Sequence, residues 1–154
     1  MSDEAERGFT LLEMVCVLAV IAMLSAVLLP LIPHQTSRSR LQAYAVQAAT
    51  LLKADRNAAI RHRAEVATLV DAGTRSIRSG ATTEMIRIPD DVQFDALLPE
   101  TCRQHAALST ISFFANGMSC GGSIALTRLD TGYEVRVNWL TGGIEIVSRS
   151  SATN

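Results

Sequence analysis

Gly117-Met118-Ser119-Cys120-Gly121 has the G-x-S-x-G spacing in which a serine, held on a sharp turn between a strand and a helix, becomes a nucleophile. The residues that follow it, Ile124 to Leu129, alternate as a strand behind Gly121-Gly122. The context is therefore a hairpin, and hydrolase chemistry is set aside. His34, His62 and His105 have no metal-ligand spacing, and Cys102 with His105 offers two ligands where a structural zinc takes four. No glycine loop suited to cradling a phosphate occurs. These residues imply no enzyme, no metal and no cofactor. A different chemistry lies at Glu13, a carboxylate inside an apolar run from Phe9 to Leu29 in which Met14 to Leu29 carries no charge. An acid at membrane depth costs roughly 2.5–3.5 kcal/mol on insertion scales, so Glu13 calls for a cationic partner. The run has about the length a helix needs to cross a hydrocarbon core of roughly 30 Å.

The elements that would position these residues follow from periodicity. Residues 35–64 keep a helical register, with Leu41, Ala45, Ala48, Leu52 and Ala59 on one stripe and Tyr44 and Leu51 widening it. No Gly or Pro lies between Ser37 and Gly73. The opposite face carries Arg38, Arg40, Lys53, Arg56, Arg61 and Arg63, offset by Asp55, and reads as a solvated face, the alternative being a specific anionic contact. One helix over 9–63 would be about 80 Å long, bent where Pro30 removes a backbone hydrogen bond. Beyond residue 64 the period becomes two. Val66 to Val70 and Met85 to Ile88 read as strands, the second stopped by Pro89. Ile111 to Ala115 leads into the hairpin dipeptide Asn116-Gly117, and Ile124 to Leu129 into the turn Asp130-Thr131-Gly132. Tyr133, Val135, Val137 and Trp139 then alternate, and Thr141-Gly142-Gly143 turns the chain into Ile144 to Val147. The expected fold is α+β: a long N-terminal transmembrane and amphipathic helix packed on an antiparallel β-sheet head.

With a net charge of −1, composition gives no global electrostatic case for nucleic acid. Arg128, Arg136 and Arg149 are scattered among Asp130, Glu134 and Glu145, and Phe113, Phe114, Tyr133 and Trp139 read as core rather than as a base-stacking platform. Nucleic acid is not an expected partner. A removed secretory leader is not expected, because Asp3, Glu4 and Glu6 outweigh Arg7 ahead of the apolar run and the small-residue stretch Ala19 to Ala22 lies inside it. The charge flanks alone, acidic before the run and Arg38 and Arg40 after it, would put the C-terminal part in the cytoplasm.

Arg7-Gly8-Phe9-Thr10-Leu11-Leu12-Glu13 resembles the type IV prepilin signal of pilins and type II secretion pseudopilins. The stretches Ile111 to Gly117, Gly121 to Leu126, Tyr133 to Val137 and Leu140 to Ile144 resemble the C-terminal region of the GspH/FimT family. The resemblance implies prepilin peptidase cleavage between Gly8 and Phe9, N-methylation of Phe9, and an assembly role for Glu13. It places the leader (1–8) in the cytoplasm, a span at 9–29 in the bacterial inner membrane, and the helix segment 30–63 and β head 64–148 in the periplasm, with a frayed tail at 149–154. In that oxidising compartment Cys102 and Cys120 become disulfide candidates, the alternative being two separate thiols. Cys16, in the apolar run, packs as a small hydrophobe. The implied function is that of a minor pseudopilin of the type II secretion pseudopilus, helping to export folded proteins across the outer membrane. Its implied partners are the minor tip subunits and the major pseudopilin. A FimT-like minor pilin, serving pilus assembly or DNA uptake, is the alternative.

Overall fold

The computed structural model describes residues 10–28, 36–103, 105–107 and 109–150, which fall into two units, Met1–Gln35 and Thr36–Asn154. In the first, α1 (Leu11–Leu28) starts where Thr10 Oγ1 accepts the Glu13 N–H at 3.2 Å and the Thr10 carbonyl accepts the Met14 N–H at 3.3 Å. That hydroxyl satisfies one of the donors every helix leaves open at its start. Large apolar side chains from Leu11 to Leu24 stand exposed all round α1. Its 18 residues amount to about 27 Å, and among the described residues no helix is long and apolar enough to cross a membrane. Phe9, Leu29 and the bend expected at Pro30 lie outside the described residues.

In the second unit α2 (Arg38–His62) is capped by Ser37, whose hydroxyl accepts the Arg40 N–H at 3.3 Å. It ends at Arg63, left-handed at φ 50°, whose N–H bonds back to Ala59 and Ile60. The buried stripe contains Leu41, Ala45, Ala48, Leu52 and Ala59 together with Ala49, Leu51 and Ala58. Alanines on this face let the helix axis approach the sheets closely.

Two four-stranded antiparallel sheets lie against α2. One has the order β3-β2-β1-β7, built from β1 (Val66–Asp71), β2 (Ser76–Arg78), β3 (Met85–Arg87) and β7 (Thr110–Phe113). The other has the order β10-β9-β8-β4, from β4 (Gln93–Leu97), β8 (Gly122–Arg128), β9 (Thr131–Val137) and β10 (Ile144–Ser150). β5 (Thr101–Cys102) and β6 (His105–Ala106) form a separate two-stranded ribbon. Ile77, Ile111, Phe113, Ile124, Leu126 and Val135 meet Leu41 and Leu52 in one core.

The structure departs from the sequence reading at several turns. The turn at Asn116-Gly117 closes onto a single bridge, Phe113 to Ser119, and the chain then leaves for the other sheet. Gly132 is a strand residue, and the two-residue turn is Leu129-Asp130, with Leu129 at φ 52°. Asp55 is wholly buried, not part of the solvated face, and Trp139 is 63% exposed, not core. β10 runs on through Ser150, paired to Thr131, where fraying was expected from 149.

Candidate functional site

Gly8 and Phe9 lie outside the described residues. Glu13 occupies the first turn of α1, where the open N–H groups and the helix dipole favour an anion. Cys16 is an unbridged, exposed thiol on the same helix. Cys102, at the end of β5, and Cys120, ahead of β8, are 18 residues apart in sequence with Cα atoms 5.7 Å apart, a separation that suits a disulfide. Ser119, the serine of the G-x-S-x-G stretch, is buried. Its Oγ donates to the Ser112 carbonyl at 2.9 Å and accepts the Gly121 N–H at 3.1 Å, so it is committed to the backbone. Among the described residues no three potential ligands gather for a metal.

Arg56 ties the far end of the head together. Its Nε donates to the Gly117 carbonyl and its Nη2 to the Thr141 carbonyl, each at 3.0 Å, joining α2 to the turns after β7 and β9. Gly142 sits at φ 62°, and a Cβ there would collide with the Gly117 carbonyl and the Arg56 guanidinium. The sequence assigned Arg56 to solvent, but it lies next to the buried stripe and only half emerges.

Asp55 is the residue sequence reasoning missed. Thr68 and Ser79 donate hydroxyls to its carboxylate, and Gly80 and Ala81 donate backbone N–H groups at 2.9 and 3.3 Å. A buried carboxylate surrounded by donors locks α2 to β1 and to the loop after β2. The signal was its register, three residues past Leu52 and four before Ala59, on the stripe itself.

At the entry to the head, Asp91 accepts the Thr36 N–H at 2.6 Å and the Thr36 hydroxyl at 2.9 Å, and pairs with Arg128 Nε at 3.1 Å. The Thr36 amide, helped by its hydroxyl and by Arg128, holds the Asp91 carboxyl below its usual range against the opposing effect of burial. On β9, Glu134 is likewise held low, chiefly by the Arg136 guanidinium at 2.9 Å, with Ser123 and Arg149 adding to it. These groups brace the head through hydrogen bonds and ion pairs.

Residues 5–29 match the model of the prokaryotic N-terminal methylation motif. The type II secretion system protein H of Xanthomonas campestris pv. campestris is 30% identical over 139 residues, covering 90% of this chain and 81% of that protein. The structure of the minor pseudopilin EpsH from the type 2 secretion system of Vibrio cholerae superposes with a TM-score of 0.56 at 13% identity, over 73% of this chain and 98% of EpsH. The type IV minor pilin FimU of Pseudomonas aeruginosa gives a TM-score of 0.55 at 15% identity, over 73% of this chain and 91% of FimU. At such identities the two structures speak for the fold, whereas the Xanthomonas protein carries kinship along nearly the whole length. The chain belongs to the type II secretion system protein H family, within the GspH/FimT group.

Proposed function

We propose that this chain is a minor pseudopilin, a non-enzymatic subunit of the type II secretion pseudopilus that helps to move folded proteins across the outer membrane. The observation that carries the reading is the 30% identity to a type II secretion protein H over 90% of the chain. The methylation motif at 5–29 supports cleavage between Gly8 and Phe9 and N-methylation of Phe9. Cleavage creates an α-amino cation, and in the assembly the carboxylate of Glu13 pairs with the cation of a neighbouring subunit, relieving a charge that lipid penalises. The span at 9–29 anchors the chain in the inner membrane, with the leader 1–8 in the cytoplasm. The helix segment 30–63 and the head 64–148 stand in the periplasm, where Cys102 and Cys120 stay oxidised. The partners are the prepilin peptidase and the other pseudopilins, minor and major. The test is complementation: in a strain lacking its own copy, the wild-type chain restores export of the secretion substrates, and a chain that restores pilus functions instead would move it to the FimT-like minor pilin reading, whose fold class the match to the minor pilin FimU also fits.

A further inference from the structure

Trp139 is the chain's single tryptophan and stands 63% exposed, with Leu140 beside it at 55%. A fully bonded turn presents the pair. Asn138 donates its N–H to the Gly143 carbonyl, and its own carbonyl accepts the Gly142 N–H, at 2.9 and 2.8 Å. Asn138 Oδ1 accepts the N–H groups of Leu140 and Thr141 at 2.9 and 3.0 Å. The Trp139 carbonyl accepts the Ser119 N–H at 3.0 Å. The backbone beneath both side chains is thus ordered before any partner arrives, which lowers the entropic cost of binding.

One flank of Trp139 opens on a groove of about 320 Å³ lined by Cys102, Arg103, Phe114 and Met118. Arg103 Cζ lies 4.0 Å over the centre of the Phe114 ring. Through these two residues the groove adjoins a second hollow bordered by Arg63, Glu65 and Asn116. The charges that border these two hollows are Arg63 and Arg103 against Glu65. Tryptophan, phenylalanine, methionine and arginine are the types enriched where proteins bind each other most strongly.

We infer that this face docks an acidic segment of a partner protein, an apolar side chain of which packs against Trp139 while its carboxylates meet Arg63 and Arg103. Two arginines opposed by a glutamate are too few for the many phosphate contacts on which nucleic-acid affinity rests. The groove between Met118 and the disulfide is a place for an aliphatic or aromatic side chain. The inference rests on the pseudopilin reading only for the partner's identity, a neighbouring subunit.

The sole tryptophan makes the test specific. The full chain in detergent is titrated with a synthetic peptide alternating Glu with Leu and Phe, with its Lys-for-Glu counterpart, with a duplex DNA 20-mer, and with the co-expressed minor pseudopilins of its own system. The acidic peptide and the pseudopilins should each blue-shift Trp139 emission and shield it from acrylamide. Arg103→Glu should weaken both by about thirtyfold, with Arg63→Glu as the second variant if the first misfolds, and Arg78→Glu should change nothing. A pseudopilin complex that leaves Trp139 emission unchanged overturns the docking face and spares the pseudopilin reading. Acidic-peptide binding without any pseudopilin complex supports the face and counts against that reading. Equal response to the Lys peptide, a response to DNA alone, or no response at all overturns the inference.

Discussion

Thr68 Oγ1 donates to Asp55 Oδ2 at 2.6 Å, with both residues wholly buried at the contact of α2 and β1. Asp55→Ala would leave two hydroxyls and the Gly80 N–H without their acceptor, while the Ala81 N–H keeps Ser79 Oγ at 3.1 Å. The expected loss is about 3 kcal/mol or more, since bonds to a charged group are worth about 1.5–3 kcal/mol each and an orphaned buried donor costs more than the bond returned. Urea unfolding of the full chain in detergent reads it. A double-mutant cycle with Thr68→Val should give a coupling of about 1 kcal/mol or more, and additivity would mean the two residues stabilise independently.

Removing the Arg56 guanidinium should loosen the far end of the head without unfolding it. Arg56→Ala gives up two bonds to carbonyls, an expected cost of about 1–3 kcal/mol. Hydrogen exchange should rise in the turns 114–118 and 138–143 and stay unchanged in β1. Gly142→Ala should be worse, because its Cβ collides with both the Gly117 carbonyl and Arg56 in a left-handed position.

Acid should release the start of α2. The folded pKa of Asp91 is depressed, so its contribution is fully present above the unfolded value near 4 and is lost as pH falls through the lower folded value. As pH falls below about 4 the protection of the Thr36 amide, its exchange rate set against the intrinsic rate at each pH, should therefore drop, as hydrogen-exchange NMR would record. Asp91→Asn should show low Thr36 protection already at neutral pH, with no further drop in acid.

Processing and assembly should separate at the N-terminus. In a host with prepilin peptidase the mature chain should begin at N-methylated Phe9, by mass spectrometry, and Gly8→Arg should leave Met1 in place. Glu13→Ala should be processed and membrane-inserted, with an unchanged head, yet enter the pseudopilus poorly. Normal incorporation of that variant would defeat the proposed pairing.

Protein recovered from the periplasm should yield a linked Cys102–Cys120 peptide pair without reductant. Replacing both by Ser should lower stability by about 3 kcal/mol, the scale for closing a loop of this size. Reductant should lower the unfolding midpoint of the wild type and leave the double variant unmoved.

The helix stripe and the major strands were legible because their apolar residues repeat at 3.6 and at 2. Asp55 was not, since a charge reads as surface until its register is weighed above its polarity. β2 has only three residues, too few for a period to declare itself, whereas β4 does alternate, with Phe94 buried between exposed Gln93 and Asp95. Trp139 was misplaced because the alternation of β9 was extended past Asn138, where side-chain bonds to the backbone begin a turn. The processing site proposed at Gly8-Phe9 rests on resemblance alone, and both residues lie outside the described ones.

The sheet order sets a timetable for folding. β8, β9 and β10 are successive neighbours and can pair as soon as each hairpin is made. β1 must wait for β7, because Val66 pairs with Phe113 across more than forty intervening residues. Synthesis delivers β1 first, so a chain still lacking Thr110–Phe113 holds one strand edge open beside an unfinished core. Such an edge invites pairing with other chains. Non-local closure of this kind is also the slow part of β folding. A chaperone that shields residues 66–71 until residue 113 has emerged would guard the most vulnerable interval in the life of this protein.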